Sequence, residues 1–212
     1  MIKAGKPAAG GAESREDAAK DALLTALREN PSEWTALKRA AGRLGAKPAA
    51  VRALADGLRD EGYEIENDRE KGLRLVVPRN RPIAREIRRH LNTRVVGKRI
   101  IVLDSVASTN DVAWRETVRG APDGTAVFAE EQTAGRGRMG RTWVAPPGSA
   151  LLMSVILRPG LDAQHGSLIT VMSAVAVAQA LLDALPIQPR IRWPNDIMIG
   201  AVSYTHLTLP TN

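Results

Sequence analysis

Hydroxyl, amide and guanidinium side chains gather in two short stretches of this sequence. The first is STND, residues 108–111, and the second is AEEQTAGRGRMGRTW, residues 129–143. Within the second stretch, residues 135–141 hold three glycines and three arginines. Glycines let a backbone approach a ligand with its N–H groups exposed, and guanidinium groups bind carboxylate or phosphate oxygens two at a time. Because the stretch occurs once, between a predicted strand and an apolar segment, it favours a folded anion-binding loop over a low-complexity tract that binds RNA.

The STND stretch, and a third stretch further along the chain, also have a purely structural interpretation. Ser108 and Asp111 have the spacing of a helix-capping box, in which the serine hydroxyl accepts a hydrogen bond from a backbone N–H group. A third stretch, RWPND at residues 192–196, is by default a proline turn between strands. Asn195 and Asp196 could instead hold a ribose or a magnesium ion, with Arg192 nearby for charge. Each stretch alone therefore leaves two readings open.

In this order along the chain, STN, EQTAGRGRMGRTW and RWPND resemble the motifs of biotin protein ligases, in particular the bifunctional type with an N-terminal winged helix. The resemblance runs from about residue 16 to residue 200. It implies that the biotin carboxylate attacks the α-phosphorus of ATP, giving biotinyl-AMP and pyrophosphate. A lysine of a biotin carboxyl carrier protein then takes the biotin. The implied substrates are biotin and ATP with Mg²⁺, and a repressor role would add operator DNA and a ligand-linked homodimer.

The resemblance also implies roles for particular residues. The biotin-binding group is Ser108, Thr109, Asn110, Gln132, Arg136, Gly137 and Arg138. The ATP and adenylate group is Arg136, Arg138, Arg141, Trp143, Arg192, Asn195 and Asp196, with Asp196 also the implied magnesium ligand. The ureido ring of biotin suits the first group, because its carbonyl acceptor and two N–H donors must be satisfied once buried. Arg192 stands where a lysine is usual in the family, which keeps the charge but changes the donor geometry.

The apolar pattern predicts an α+β fold with two folded domains. A leucine-rich helix, a second short helix that includes Trp34, and a third with Val51, Leu54 and Leu58 at helical spacing come first. The alternating stretch GYEIENDREKGLRLVV then predicts a hairpin, so that the whole resembles a winged helix-turn-helix. From Lys98 onward, strands and helices mix without strict alternation, which favours a mixed sheet over a doubly wound one.

The net charge of +7 is concentrated between the two predicted domains. Residues 78–99 hold eight Lys or Arg against one Glu, which is typical of a solvated connector or of a stripe that contacts phosphates. The predicted segments are a disordered leader at 1–15, a winged helix-turn-helix at 16–77, a basic connector at 78–97, an incomplete biotin ligase catalytic domain at 98–200 and a non-native tail at 201–212.

The third helix of the first domain would be the one offered to a DNA major groove. Its candidate contacts are Lys47, Arg52 and Arg59. The alanines around them offer no donors or acceptors to base edges, and the domain is nearly neutral, so packing or dimerisation remains an equal alternative. A DNA-binding winged-helix regulator without ligase activity is accordingly the alternative function.

Composition excludes several classes of site. The chain has no cysteine, which rules out disulfides and thiolate zinc sites, and its three histidines are too far apart for a recognisable metal motif. The N-terminus lacks the apolar run of a signal peptide. The apolar segment 167–185 carries Ser173, Gln179 and Asp183, which favours a buried helix over a membrane span. We therefore expect a cytoplasmic protein without a membrane partner.

The end of the sequence departs from the family pattern. After RWPNDIMIG the family continues through a strand with a lysine that contacts the biotin carboxylate and the phosphate, whereas here no lysine follows Lys98. The last residues, AVSYTHLTLPTN, also differ in composition from the body of the chain, which is why a non-native tail is expected. The resemblance thus predicts no detectable biotin-dependent pyrophosphate exchange by these 212 residues.

Overall fold

The computed structural model describes residues 12–76, 81–137, 140–162, 165–200 and 202–206, without the side chains of 12–14 and 202–206. The chain divides into two compact units, residues 1–90 and 91–212. The predicted leader lies mostly outside the described residues. Its last residues do not fit the prediction, because the first helix already begins at Ala12 and the sequence AESRED continues without a helix breaker into the leucine-rich segment.

The N-terminal unit consists of helices followed by a hairpin, as predicted. Its elements are α1 (Ala12–Arg28), α2 (Leu37–Leu44), α3 (Pro48–Asp60), β1 (Ile65–Asp68), β2 (Gly72–Leu75) and α4 (Ala84–His90). The predicted leucines and valine meet in one core, in which Leu23, Leu27, Val51, Leu58 and Leu73 are almost fully buried. Burial of these side chains, each contributing roughly 1.5–3 kcal/mol, is what joins the three helices to the hairpin.

Trp34 lies outside the second helix, contrary to the prediction. Its neighbour Thr35 forms a bridge to Leu73, with Thr35 N–H donating to Leu73 O at 2.7 Å and Leu73 N–H donating to Thr35 O at 2.9 Å. This pairing holds the segment extended, so that α2 begins only at Leu37. Trp34 instead lies against the hairpin, with the guanidinium of Arg74 4.7 Å from its ring centroid.

Helix α4 belongs to the first unit and is tied to it by ion pairs. Arg85 Nε donates to Glu61 Oε2 at 2.6 Å, and the same guanidinium reaches Asp17 on α1 at 2.6 Å. Glu86 accepts from Arg28 Nη2 at 2.5 Å and from the Tyr63 hydroxyl. The predicted connector 78–97 therefore does not present all of its arginines to solvent, since the Arg85 side chain is 12% exposed.

The described residues of the second unit form two three-stranded sheets and a two-stranded one, as a mixed α+β fold should. In the first, β3 (Ile100–Val106) pairs in parallel with β4 (Ala126–Gln132), which pairs antiparallel with β7 (Leu152–Val155). Helix α5 (Thr109–Val118) connects β3 to β4. Between β4 and β7, the two-residue strands β5 (Gly135–Arg136) and β6 (Thr142–Trp143) form a small hairpin.

The second sheet follows the apolar helix α6 (Gly166–Ala184). It has the order β10-β9-β8, all antiparallel, with β8 at Pro189–Arg192, β9 at Asp196–Ile199 and β10 at Val202–His206. Strand β10 falls within the predicted non-native tail, and residues 207–212 of that tail lie outside the described residues.

Helix α6 forms where it was predicted but is not the buried helix that was expected. Ala174 and Ala178 are buried in a cluster with Ile197, whereas Leu168, Met172 and Val175 are each more than half exposed. The cause is geometric, since β8 and β9 cover one stripe of a helix that is apolar on every side. By length and composition this helix could also cross a membrane, a criterion that core helices of soluble proteins meet as well.

Candidate functional site

The parallel pairing of β3 and β4 brings the first two motifs together. Its register places Val106 opposite Gln132, so the ends of both strands lie at the same edge of the sheet. Residues Ser108–Asn110 follow β3 at that edge and start α5. The edge is where side chains from two segments distant in sequence can act on one ligand.

Thr109 and Gln132 are joined directly at this edge. The backbone N–H of Thr109 donates to Gln132 Oε1 at 2.7 Å, and its hydroxyl donates to the same oxygen at 2.9 Å. Gln132 Oε1 thereby accepts from one of the backbone N–H groups at the start of α5, which have no acceptor within the helix. Ser108 is the N-cap residue but makes no side-chain cap hydrogen bond, so the capping-box reading of STND is wrong.

Ser154 completes this network and was not singled out from the sequence. It lies on β7, opposite Val127 of β4. Its Oγ lies 2.8 Å from Thr109 Oγ1 and donates to Asn110 Oδ1 at 2.6 Å. The available signal was a lone hydroxyl in the apolar run LLMSVIL, which the motif comparison did not use. We name the four residues Thr109, Asn110, Gln132 and Ser154 the polar quartet.

The polar quartet leaves two amide groups available as donors. The Asn110 and Gln132 carbonyl oxygens accept bonds from within the quartet, while their NH₂ groups donate to no other described residue. Among the described residues, no buried side-chain nitrogen or oxygen lacks a partner. Both residues are half-buried, so their NH₂ groups reach solvent. A partly enclosed pair of donors of this kind suits a ligand with a strong acceptor, such as a carbonyl oxygen.

The Gly/Arg loop, residues 132–143, is closed at its base by the β5–β6 hairpin. Gly135 pairs with Trp143, and a Cβ atom at Gly135 would lie 2.5 Å from the Trp143 carbonyl oxygen. Glycine is therefore required here by the close approach of two backbones. Beyond the Arg136–Thr142 pair of this hairpin, Gly137 N–H donates to Arg141 O at 2.7 Å. Arg138, a predicted biotin and adenylate contact, lies outside the described residues.

Arg136 contacts the first turn of α5 across the site. Its Nη1 lies 3.2 Å from Asp111 Oδ2, and its Nη2 pairs with Asp111 Oδ1. The hydrogen bonds and charge of Asp111 raise the pKa of Arg136, which therefore stays charged. Both side chains are largely open to solvent, at 58% and 41% exposure, so this ion pair is one that a competing anion can reach. Arg141 is exposed and Trp143 is half-buried.

The third motif lies on the other sheet. Residues 193–195 form the turn between β8 and β9, which confirms the proline-turn reading of RWPND. Asn195 is 4% exposed and its Nδ2 donates to Asp196 Oδ1 at 3.2 Å. Arg192 is exposed and stands opposite Asp196 in the strand register. Of the predicted nucleotide residues, Arg192, Asn195 and Asp196 thus lie together on a different sheet from the polar quartet, whereas Arg136 and Trp143 belong to the β5–β6 hairpin.

A magnesium site made by the protein alone is not formed in the part of the chain that the structure describes. No three His, Cys, Asp or Glu side chains gather there in a metal-binding arrangement. Asp196 with the adjacent Asn195 offers one carboxylate and one amide oxygen. That set fits a magnesium ion that takes most of its ligands from water and phosphate oxygens.

Comparison with known proteins gives consistent matches. The model of the Biotin/lipoate A/B protein ligase family matches residues 102–203. The "Bifunctional ligase/repressor BirA" of Bacillus subtilis is 40% identical over 178 residues, which are 84% of this chain and 55% of that protein. Its namesake from Escherichia coli is 31% identical over 158 residues, 74% of this chain and 47% of that protein.

Residues 102–203 thus match the biotin and lipoate protein ligases, and the chain as a whole is similar to biotin ligase/repressors. It spans about half the length of the curated ligases that it matches. Among solved structures, the biotin protein ligase of Leishmania major in complex with biotinyl-5-AMP has 30% identity and a TM-score of 0.45, covering 50% of this chain and 49% of that one.

The match to the ligase family includes all three motifs, since residues 102–203 contain STND, the Gly/Arg loop and RWPND. The Bacillus alignment reaches further. Its 178 aligned residues are more than residues 91–212 can supply, so part of the N-terminal unit is also shared with a ligase/repressor.

Proposed function

We propose that this chain binds biotin at the polar quartet, the site at which a full-length ligase activates biotin with ATP to biotinyl-AMP. The observation that supports biotin is the pair of NH₂ groups on Asn110 and Gln132, held in place through their carbonyl oxygens. The ureido carbonyl of biotin is an acceptor that can take both. Lipoate, the other acid named by the family model, has a dithiolane ring without hydrogen-bonding N–H or carbonyl groups, and would leave both donors unpaired.

The arginines of the Gly/Arg loop supply the charge for the activation step. Bringing a carboxylate against a triphosphate places two anions side by side, and fixed positive groups lower the barrier by neutralising the developing charge. Arg136, at the base of the loop, is the described arginine next to the polar quartet, and the motif assigns Gly137 and Arg138 to the same task. Ser108 completes the proposed biotin group, and Arg141 and Trp143 would serve the phosphates and the adenine.

The RWPND turn is the proposed nucleotide contact. Asn195 and Asp196 would hold the ribose and the magnesium ion of ATP, with Arg192 offering its charge from the end of β8. Since Asp196 supplies one carboxylate, the phosphates of ATP would provide further ligands to the metal.

The acceptor in the second step is proposed to be a lysine of a biotin carboxyl carrier protein. One of the matched relatives, from Paracoccus denitrificans, is called "Biotin--[acetyl-CoA-carboxylase] ligase". We place this protein in the cytoplasm, in line with the bacterial ligases that it resembles.

Binding of biotin against lipoate tests the proposal most simply. We expect calorimetric titration to show biotin binding by the 212-residue chain, with lipoate much weaker. Thr109→Val removes the hydroxyl that donates to Gln132 Oε1 and should weaken biotin binding about 2- to 10-fold, since a lost hydrogen bond costs roughly 0.5–1.5 kcal/mol. Thr117→Val is the matched control, because Thr117 lies on the same helix and donates only to Ala113 O. Equal affinity for the two acids, or equal effects of the two variants, would refute the assignment.

A second function, biotin-responsive repression, is proposed for the N-terminal unit. The order α2, α3 and hairpin is that of a winged helix-turn-helix, and the two BirA relatives are called ligase/repressors. Lys47, directly before α3, and Arg52, within it, are both exposed. Arg59 is a poorer DNA contact than predicted, because its guanidinium pairs with Asp56 and donates from Nε to Ile65 O at 2.5 Å. Biotinyl-AMP would promote a homodimer on operator DNA.

The salt dependence of DNA binding distinguishes Arg52, a proposed phosphate contact, from Arg59, which is held within the protein. With a random-sequence duplex, Arg52→Ala should lower the slope of log K against log salt by about 0.9, the value for one lost phosphate contact. Arg59→Ala should leave that slope unchanged, since its partners lie within the protein. The repressor proposal fails if neither variant alters DNA binding by the full chain.

A further inference from the structure

Asp111 is the carboxylate that holds Arg136 when no ligand is bound. Both Asp111 oxygens face the guanidinium, one at 3.2 Å and the other closer. Asp111 lies in the first turn of α5, directly after Asn110, while Arg136 lies on β5 at the base of the Gly/Arg loop. The ion pair thus connects the two segments that carry the proposed biotin contacts.

The Asp111 carboxylate imitates the group that the ligand brings. Guanidinium binds aspartate, the biotin carboxylate and a phosphate through the same two-pronged geometry. A ligand anion that binds Arg136 must therefore displace Asp111, or share the guanidinium with it at the cost of placing two like charges together. A neutral ligand group has no reason to displace Asp111.

We propose that Asp111 is a specificity-determining residue: it competes with the ligand carboxylate for Arg136 and sets how strongly the site prefers anionic over neutral biotin derivatives. This inference rests on the proposed biotin site. The resemblance covers only Ser108, Thr109 and Asn110 of STND, and the capping box that would have explained Asp111 is not formed, because Ser108 makes no side-chain cap hydrogen bond. The carboxylate is instead engaged by Arg136.

The exposure of the pair sets the size of the effect. Exposed ion pairs contribute little, so releasing Arg136 by Asp111→Asn should strengthen biotin binding only about two- to five-fold. The affinity for biotinamide, which has the same ring and chain without the charge, should stay constant. A purely structural role of Asp111 at the start of α5 would change both affinities together.

The test compares the two ligands by calorimetry on the full chain. Asp111→Asn is expected to raise the ratio of biotin to biotinamide affinity two- to five-fold. Glu131→Gln is the matched control, because Glu131 precedes Gln132, is half-buried and accepts from Ser105 at 2.8 Å. It removes one negative charge from β4 without releasing Arg136, and should leave the ratio unchanged.

Three outcomes would overturn the proposal. If Asp111→Asn and Glu131→Gln raise the ratio equally, general charge rather than competition is responsible. If Asp111→Asn weakens biotin binding, Asp111 orients Arg136 for the ligand and does not compete with it. If the wild-type chain binds biotin no more tightly than biotinamide, Arg136 does not bind the carboxylate. Binding of neither ligand by the wild type would refute the proposed biotin site itself.

Discussion

At the scale of single residues, hydrogen-bond partners decide what the site can recognise. Asn and Gln amides each carry an acceptor and a donor group, and the neighbour that takes one determines which remains for a ligand. In this chain Thr109 and Ser154 occupy the two carbonyl oxygens. The polar quartet therefore offers donors, which is the property that the proposed ureido ligand needs.

Ser154→Ala should weaken biotin binding by about 2- to 10-fold, because the lost hydrogen bond to Asn110 contributes roughly 0.5–1.5 kcal/mol and Asn110 would be free to rotate. Calorimetry measures the affinity, and the melting temperature reports on folding. Ser149→Ala is a suitable control, since its hydroxyl donates to Pro146 O in an exposed turn. Restored affinity in Ser154→Thr would support a role for the hydroxyl. If Ser154→Ala and Ser149→Ala bind biotin equally well, Ser154 does not position Asn110.

Part of this site could be predicted from the sequence. Motif resemblance selected Thr109, Asn110 and Gln132 because their order along the chain is distinctive. Ser154 and Asp111 were both missed because each acquires its partners through contacts between segments that are distant in sequence. Ser154 becomes a neighbour only through the antiparallel pairing of β7 with β4, and the partner of Asp111 lies 25 residues away on β5. Neither pairing has a local signal.

At the scale of elements, the β5–β6 hairpin fixes where the Gly/Arg loop begins and ends. Gly135→Ala should disrupt this hairpin, since its Cβ would lie 2.5 Å from the Trp143 carbonyl oxygen and one of the two backbones must move. We expect trypsin to cleave the loop faster in this variant, and biotinyl-AMP to protect it less than it protects the wild type. Gly160→Ala is the control, because nothing lies within 4 Å of its added Cβ. Equal cleavage rates in the two variants would contradict this role.

Helix α4 is attached to the N-terminal unit by carboxylates, so acid should release it. Burial raises the pKa of Glu61, but hydrogen bonds from Arg85 and Lys20 outweigh burial and leave the pKa below its ordinary value of 4.5. The pKa of Glu86 is also lowered, because hydrogen bonds from Tyr63 and Arg28 outweigh the effect of its burial. A group whose pKa is lowered in the folded state stabilises above its unfolded pKa and loses that contribution as the pH falls.

The expected result is a stability that is constant above about pH 5.5 and falls as the pH passes below 4.5, the ordinary value for Glu61. Glu61→Gln should flatten this fall, and Glu64→Gln, an exposed residue of the same unit, should not. Hydrogen-exchange protection of α1 and α3 in the full chain, corrected for intrinsic rates, measures the effect. A fall that is equally steep in both variants would show that other groups control the acid sensitivity.

The positions of the helices and strands could be predicted from the sequence better than the burial of their side chains. The helices, the hairpin and the mixed sheet follow from periodicity, because each pattern has a local cause. The exposure of α6 could not be predicted in the same way, since an all-round apolar helix is expected to be covered on every side. The position of Trp34 was missed because its neighbour Thr35 pairs with Leu73, far along the chain, which delays the start of α2.

At the scale of the whole molecule, the proposed tasks are divided between two units of one chain. The second unit carries the three motifs of the ligase family, and the first, with three helices before a hairpin, carries the proposed DNA contacts. The family assignment depends on the motifs taken together, since periodicity alone left each of them ambiguous. The proposed regulation would depend on biotinyl-AMP made by one unit and read out by the other.

The Asn110 and Gln132 NH₂ groups are proposed to bind the ureido ring of biotin, and their nuclear magnetic resonance signals test this binding most directly. Side-chain ¹H–¹⁵N correlations of the full chain can be assigned by Asn110→Asp and Gln132→Glu, which each remove one NH₂ pair. On titration with biotin, we expect both NH₂ pairs to shift together and to saturate with the calorimetric affinity, whereas lipoate should leave them in place. Biotin binding that moves neither pair, or lipoate that moves both as far, would contradict the account.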